Sequence, residues 1–323
     1  MRFHRAAFIY NPVSGARTPD RKIHEIRGVL EVSADEVRLA PTRGPHHSSE
    51  LAREAVADGC DLVAVLGGDG TTNEVVQGLA GTARPALLVL PGGTANVMAR
   101  EVGLPMDPVA AAALLPSLDE QAIQLGLVEF NEGETRYFLL MFGAGIDAAI
   151  AARTLPPLKR RLGTAAFWIR GAQQALHRLP RLRIAQGGGP GGNRASSLVV
   201  VSKSRSYGGG LVCTPSANLL SGHFEVAYFA GTGRAQYCGY LLAAACEMTA
   251  RWPGIQHTQA THLRLEPCDG EHVQFQVDGE VAGTLPARVS VSPLSVTVLL
   301  PPAYQLDAVS NGPGNSETCP DSV

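Results

Sequence analysis

Short apolar runs alternate with amphipathic stretches through the first third of the chain. Ala6–Tyr10, Glu36–Ala40, Asp61–Leu66 and Ala86–Leu90 are apolar or alternating runs of strand length. They predict strands, and the β-branched run at Asp61–Leu66 predicts a buried one. Helices are expected over Arg21–Leu30 and the Ala/Glu-rich Ser48–Ala57, then near Val97–Val102 and Pro108–Leu115. Each strand ends in a cluster of turn residues: Asn11–Gly15, Pro41–Gly44, Gly67–Gly70 and Pro91–Asn96. Repetition of strand, loop and helix with short links predicts right-handed crossovers and a mostly parallel sheet. Ligands of such sheets sit beyond the carboxyl ends of the strands, so all four loops fall along one crevice.

Beyond residue 121 the pattern changes. Ile123–Phe130 and Arg136–Phe142 predict paired strands, and Arg153–Leu176 a mostly helical stretch. Strand-length segments resume at Leu182–Ala185, Ser197–Val201, Phe224–Phe229, His262–Leu265, Val273–Val277, Ala287–Val291 and Ser295–Leu300, interrupted by a helix over about Arg234–Thr249. Many short strands spaced by turns predict an antiparallel β-sandwich. The expected architecture is an α/β domain over residues 1–121, its mostly parallel sheet flanked by helices, and a β-rich domain over 122–305. Gly187–Asn193 is expected to form a mobile hairpin loop, and residues 306–323 a disordered tail.

A length of 323 residues allows two domains with real cores. The net charge of −2 gives no basic field to attract nucleic acid. The opening Met1–Ala7 is too short and polar for a signal peptide, and no apolar run reaches the ~20 residues of a membrane span. Six scattered cysteines without a Cys-x-x-Cys pair argue against a disulfide framework or a cysteine metal site. A cytoplasmic protein is expected.

The stretch richest in chemistry is Gly67-Gly68-Asp69-Gly70-Thr71-Thr72-Asn73-Glu74. Thr71 and Glu74 have capping-box spacing, so a helix is expected to start there. Glycines let the backbone approach a ligand, and free N–H groups at a helix start suit a phosphate. A carboxylate among phosphates repels them unless a cation intervenes, so Asp69 points to Mg²⁺. The alternative is a plain strand-to-helix turn with a solvated Asp69. Likewise Asp278-Gly279 between alternating runs reads first as a two-residue hairpin turn.

Taken in order, Asn11-Pro12-Val13-Ser14-Gly15, Thr42, Gly67–Glu74 and Gly92-Gly93-Thr94-Ala95-Asn96 resemble the diacylglycerol kinase catalytic-domain family, which includes sphingosine and ceramide kinases. Gly143–Ala148, Lys159–Gly163, Tyr207–Gly210 and Val277–Glu280 resemble its later segments. The Gly-Gly-Asp-Gly element alone is shared with NAD kinases and phosphofructokinases, whose α/β domain is the fold this resemblance implies. It also implies that Asn11, Pro12, Val13, Ser14, Gly15, Thr42, Gly67, Gly68, Asp69, Gly70, Thr71, Thr72, Asn73 and Thr94 hold ATP. By the same resemblance Asp69 anchors a catalytic Mg²⁺, partly through water, and Glu280 takes the proton from a lipid hydroxyl.

The chain departs from the family pattern at Val97 and Gln124, where an Asp is usual, and at Lys203, where an Asn is usual. Ser221 replaces the Asp of a structural Mg²⁺ site completed at Asn218 and His223, so that ion is expected to be lost. The implied activity is an ATP-dependent lipid kinase. The alternatives are an NAD kinase-like enzyme, or an impaired relative that binds nucleotide or lipid as a regulator. Basic and aromatic residues in Leu158–Leu179 suit either a membrane surface or packing on the β domain. The expected partner is lipid at a membrane surface, with no nucleic acid and the oligomeric state left open.

Overall fold

The computed structural model describes residues 2–14, 19–145, 180–186, 194–208, 211–231, 233–268 and 270–304. Its first part reads β1 (Phe3–Tyr10), α1 (Asp20–Leu30), β2 (Ala34–Pro41), α2 (His47–Ala57), β3 (Leu62–Gly67), α3 (Asp69–Leu79), β4 (Ala86–Pro91), α4 (Val97–Glu101) and α5 (Pro108–Ala113). The strands pair parallel in the order β2-β1-β3-β4. Residues Leu62 to Gly67 are all buried, as a sheet covered by helices on both faces requires. The chain leaves β1 toward one side and reaches β3 on the other. The loops after β1 and β3 therefore flank the point where the strand order reverses, the place where such sheets open a crevice.

The second part contains β5 (Asp119–Phe130), β6 (Glu134–Phe138), β7 (Met141–Gly145), β8 (Leu182–Gln186), β9 (Arg194–Ser196), β10 (Leu198–Ser202), β11 (Ser206–Gly208), β12 (Leu211–Val212) and β13 (Phe224–Phe229). After these come α6 (Arg234–Ala245), β14 (Ile255–Ala260), β15 (His262–Pro267), β16 (Gln274–Val277), β17 (Glu280–Thr284) and β18 (Ala287–Leu300). A six-stranded antiparallel sheet, β14-β13-β10-β7-β16-β17, lies against strands that extend the first sheet: β18, β15, β8, β9, β5 and β6. Between them sits a core in which Phe138, Ile184, Leu263 and Val289 of one sheet meet Phe142, Val199, Val201 and Phe275 of the other. Val200, on the opposite face of β10, belongs to the core of the α/β part. This strand is buried on both faces, which explains its unbroken apolar run.

Most expected elements are present, with four differences. Ala287–Val291 and Ser295–Leu300 form one strand rather than two. The register shifts between Val291 and Ser295, where Pro293 cannot donate to a ladder. Its far end runs parallel to β4, at Val298 opposite Leu87, so one sheet passes through both parts of the molecule. Arg136–Phe142 is not a single strand: β6 pairs with β5, and after Leu139-Leu140 the chain crosses into the second sheet as β7. Five strands were not expected: β9, β11 and β12 are only two or three residues long, and Ile255–Ala260 (β14) and Glu280–Thr284 (β17) are polar or half-exposed along much of their length. Finally, α3 starts at Asp69 with Gly68 as its cap, not at Thr71. Glu74 reaches away from its own helix and accepts from the N–H groups of His46 and Ser48 at 2.9 and 3.3 Å, capping α2 instead.

The stretches 153–176, 158–179, 187–193 and 306–323 lie outside the described residues, as does Gly15. Among the described residues, no helix is long and apolar enough to cross a membrane.

Candidate active site

The loops at the carboxyl ends of the first strands hold one another by hydrogen bonds. Asn11 N–H donates to Leu66 O at 3.1 Å, and the Asn11 amide lies 3.4 Å from Thr71 Oγ1. Ser14 Oγ donates to Gly92 O at 3.0 Å, and Gly92 N–H to Gly67 O at 2.9 Å. Thr42 N–H, at the end of β2, donates to Tyr10 O at 2.9 Å. The predicted convergence of four loops is therefore present.

Glycine is required where these loops touch. A Cβ on Gly93 would strike the Gly68 backbone, and one on Gly67 would meet the Thr71 side chain. The first N–H groups of α3 lack intrahelical carbonyl partners, which suits an anion at that end. Pro12, Val13, Ser14, Gly68, Asp69, Gly70 and Thr94 keep partial or full exposure. Thr42, Thr71 and Thr72 are buried behind them.

Glu280 is brought to this crevice from the other part of the molecule. Asp278 and Gly279 take φ of 46° and 87°, the paired positive values of a type I′ hairpin, and join β16 to β17. The hairpin turn expected from sequence is thus present, and Glu280 is the first residue after it. Its carboxylate rests on Gly70, where any Cβ would collide with it.

Asp278 does far more than make the turn. It is 5% exposed and accepts from the N–H groups of Leu139 (2.9 Å), Leu140 (3.0 Å) and Met141 (2.8 Å), where the chain crosses between sheets. It also accepts from the Asn73 amide at 2.8 Å. Burial pushes the Asp278 carboxyl above its ordinary range, and these donors oppose the shift.

Asn73, which the family resemblance groups with the ATP-holding residues, lies behind the loop surface. The residue is 1% exposed. Its Nδ2 donates to Asp278 and to Tyr137 O at 3.1 Å, while its Oδ1 accepts from Arg136 at 3.2 Å and Gln77 at 3.3 Å. The side-chain amide is thus engaged in joining α3 to β6 and the hairpin.

Asp69, the first residue of α3, stands between two loops. Its Oδ1 accepts from Val97 N–H at 2.7 Å and so holds the start of α4. Among the described residues no group of three or more His, Cys, Asp or Glu converges on a point. A single carboxylate is nevertheless a suitable donor set for Mg²⁺, which keeps waters and takes one or two carboxylates together with substrate phosphates.

The turn at Asn218–His223 is satisfied within itself. Asn218 Oδ1 accepts from Leu220 N–H at 2.8 Å, and Ser221 Oγ lies 3.0 Å from His223 Nδ1. Gln124 reaches toward Gly222. Its main-chain carbonyl accepts from the buried Lys203 ammonium at 2.6 Å, and burial pushes Lys203 down to about 8. A positive charge is thus built into the protein beside Gln124.

Residues 5–128 match the diacylglycerol kinase catalytic domain, and residues 141–300 match the YegS C-terminal NAD kinase beta sandwich-like domain. Residues 5–128 are thus a diacylglycerol kinase catalytic domain, followed by a domain of that second family. A diacylglycerol kinase of Bacillus subtilis (strain 168) is 28% identical over 309 residues, covering 94% of this chain and 99% of the relative. One from Mycobacterium tuberculosis (strain CDC 1551) is 29% identical over 294 residues, covering 90% and 93%. A crystal structure of a diacylglycerol kinase from Bacillus anthracis superposes with a TM-score of 0.70 at 21% identity, covering 94% of this chain and 99% of that one. The yeast NADH kinase bound to NADH shares the fold alone, with a TM-score of 0.52 at 10% identity over 99% and 90% of the two chains.

The fold brings the glycine loops, Asp69 and Glu280 together, as their singling out in the sequence implied; Arg136, Gln77 and the clamp made by Asp278 stand beside them without a signal of comparable strength. The one signal for Arg136 was a lone cation in a short strand otherwise free of basic residues, Glu134–Phe138.

Proposed function

We propose that the protein transfers the γ-phosphate of ATP to the hydroxyl of a lipid of the diacylglycerol or sphingoid type. The observation that carries this reading is the Glu280 carboxylate lying on Gly70, at the start of α3. A proton acceptor and a phosphate-type loop, contributed by different parts of the molecule, meet at one place.

The triphosphate would lie along Asn11–Ser14, Gly67–Thr71 and Thr94, with backbone N–H groups as neutral donors. Asp69 would hold Mg²⁺, which supplies positive charge against the phosphates when bound. Glu280 accepts the lipid hydroxyl proton as the hydroxyl oxygen bonds to the γ-phosphorus. The bond from that phosphorus to the bridging oxygen breaks, ADP leaves, and Glu280 returns its proton to water. The lipid would come from a membrane surface along the β-rich part of the molecule.

The test is transfer of labelled phosphate from ATP to a panel of vesicles containing diacylglycerol, a sphingoid base or extracted bacterial lipid, with NAD as a parallel acceptor. Label in lipid, lost by about 10²–10⁴-fold in kcat with Glu280→Gln at unchanged melting temperature, is the expected result. Label in NAD alone, or full turnover by folded Glu280→Gln, overturns it.

A further inference from the structure

Glu280 begins a strand, and its side chain is 45% exposed. A long carboxylate so placed has several rotamers available. It also stands where a triphosphate would repel it. Something must keep it on Gly70, and β6 supplies the cation.

Arg136 Nη2 donates to Glu280 Oε2 at 2.9 Å and to Asn73 Oδ1 at 3.2 Å. One nitrogen thus joins the hairpin to α3. The backbone beside Arg136 is itself registered to α3: Gln77 Oε1 accepts from Tyr137 N–H at 3.0 Å, and Gln77 Nε2 donates to Tyr137 O at 2.7 Å. Asn73 is oriented by the same pattern, since a flipped amide would turn its NH₂ toward the guanidinium and its oxygen toward the Asp278 carboxylate.

As a source of stability the arrangement is poor. The Arg136 side chain is 20% exposed and its Nε is buried without a hydrogen-bond partner among the described residues. Burying a guanidinium with an unmet donor is costly, and an apolar residue would pack β6 against α3 more cheaply. The placement of the guanidinium makes sense at the end that touches Glu280.

We propose that Arg136 is a positioning residue: it holds the Glu280 carboxylate over the glycine loop and offsets its repulsion from the phosphates. The proposal rests on Glu280 being the proton acceptor. A guanidinium committed to Asn73 and Glu280 contributes to the orientation of the acceptor rather than to the binding of ATP. Lysine is a poor substitute, since a point charge cannot reproduce a fixed fork between two partners.

A double-mutant cycle on the full chain tests this, with labelled ATP and vesicles of extracted bacterial lipid. Arg136→Gln should lower kcat by about 10–100-fold with KM for ATP within about twofold, as expected for a misplaced reacting group. Arg136→Lys should recover part of the loss, and it serves as the second variant if Arg136→Gln folds poorly. In the Glu280→Gln background, Arg136→Gln should cost less than about threefold more, because the group it positions is already gone. Losses that multiply, or a rise in KM for ATP with kcat intact, overturn the positioning role and leave Glu280 in place. Full turnover by Glu280→Gln, or no turnover by the unaltered protein, overturns the reading of Glu280 itself.

Discussion

Asn73 Nδ2 and Asp278 Oδ2 meet at 2.8 Å across 205 positions of sequence, and neither side chain is more than 5% exposed. This bond fixes the hairpin of the β-rich part against the helix that follows the glycine loop. Its acceptor also organises the Leu139–Met141 crossover. Asp278→Asn keeps the volume but turns one acceptor oxygen into a donor that faces other donors. With buried N–H groups left unmet at about 1–3 kcal/mol each, the variant should lose at least about 2 kcal/mol. Urea unfolding at neutral pH measures the loss. A stability within about 0.5 kcal/mol of the unaltered protein would show that the crossover does not depend on this carboxylate.

Asp69 has two tasks that different substitutions separate. Asp69→Ala removes both the cap on Val97 and the carboxylate; Asp69→Asn keeps an acceptor for the N–H group but no charge. Both variants should lose turnover by more than about 10²-fold if the charge anchors Mg²⁺. Only Asp69→Ala should also lower the melting temperature. Near-normal turnover by Asp69→Asn would leave Asp69 with its structural task alone.

Glu74 gives a prediction with no bearing on chemistry. Because it caps α2 rather than its own helix, Glu74→Ala should destabilise the protein by about 1 kcal/mol. Hydrogen exchange should report the loss at the start of α2. Faster exchange confined to the start of α3 would contradict the assignment.

The turn at Asn218–His223 offers no carboxylate, and its side chains bond to one another or to the local backbone. We expect the melting temperature without nucleotide to be indifferent to EDTA. A fall of several degrees, reversed by Mg²⁺, would show an ion there after all.

Lys203 makes stability depend on pH in a defined direction. Its folded pKa, about 8, lies below the ordinary 10.5, so between these values the unfolded chain binds the proton and the folded protein does not. Stability from this group therefore rises with pH across that window, and the burial cost is fully present below pH 8. Compared with Lys203→Met, which has no titrating group, the unaltered protein should gain on the order of a few kcal/mol from pH 7.5 to 10.5. Parallel stability curves for the two proteins would mean that the ammonium is not desolvated.

The glycine loops were legible in sequence because their chemistry is local. Gly67, Gly68, Gly92 and Gly93 are needed by the backbone itself, and turn residues announce themselves within a few positions. The helix start was misread because Thr71 and Glu74 satisfy a local rule that a longer-range partner overrides: α2 has no cap of its own, and Glu74 supplies one. Asp278 read as a turn residue, which it is, and no local pattern could reveal the amides of Leu139–Met141 or the side chain of Asn73. Arg136 was hidden for the same reason, since its meaning comes from a hairpin 144 positions away. The half-exposed strand β17 was missed because its apolar residues are few, although it begins with Glu280.

The passage of β18 alongside β4 sets the order in which this molecule can be made. Its Val298 faces Leu87, and Gly81 N–H donates to Ser295 O at 3.0 Å. On the ribosome, the first sheet emerges with the flank of β4 uncovered, and the strand that covers it follows roughly 200 residues later. At about 5–20 residues per second, the nascent chain carries an open sheet edge for tens of seconds at the slower rates. A fragment ending before β18 keeps that edge permanently, so dissecting this protein at its apparent domain boundary should yield an aggregating first half rather than a small nucleotide-binding domain.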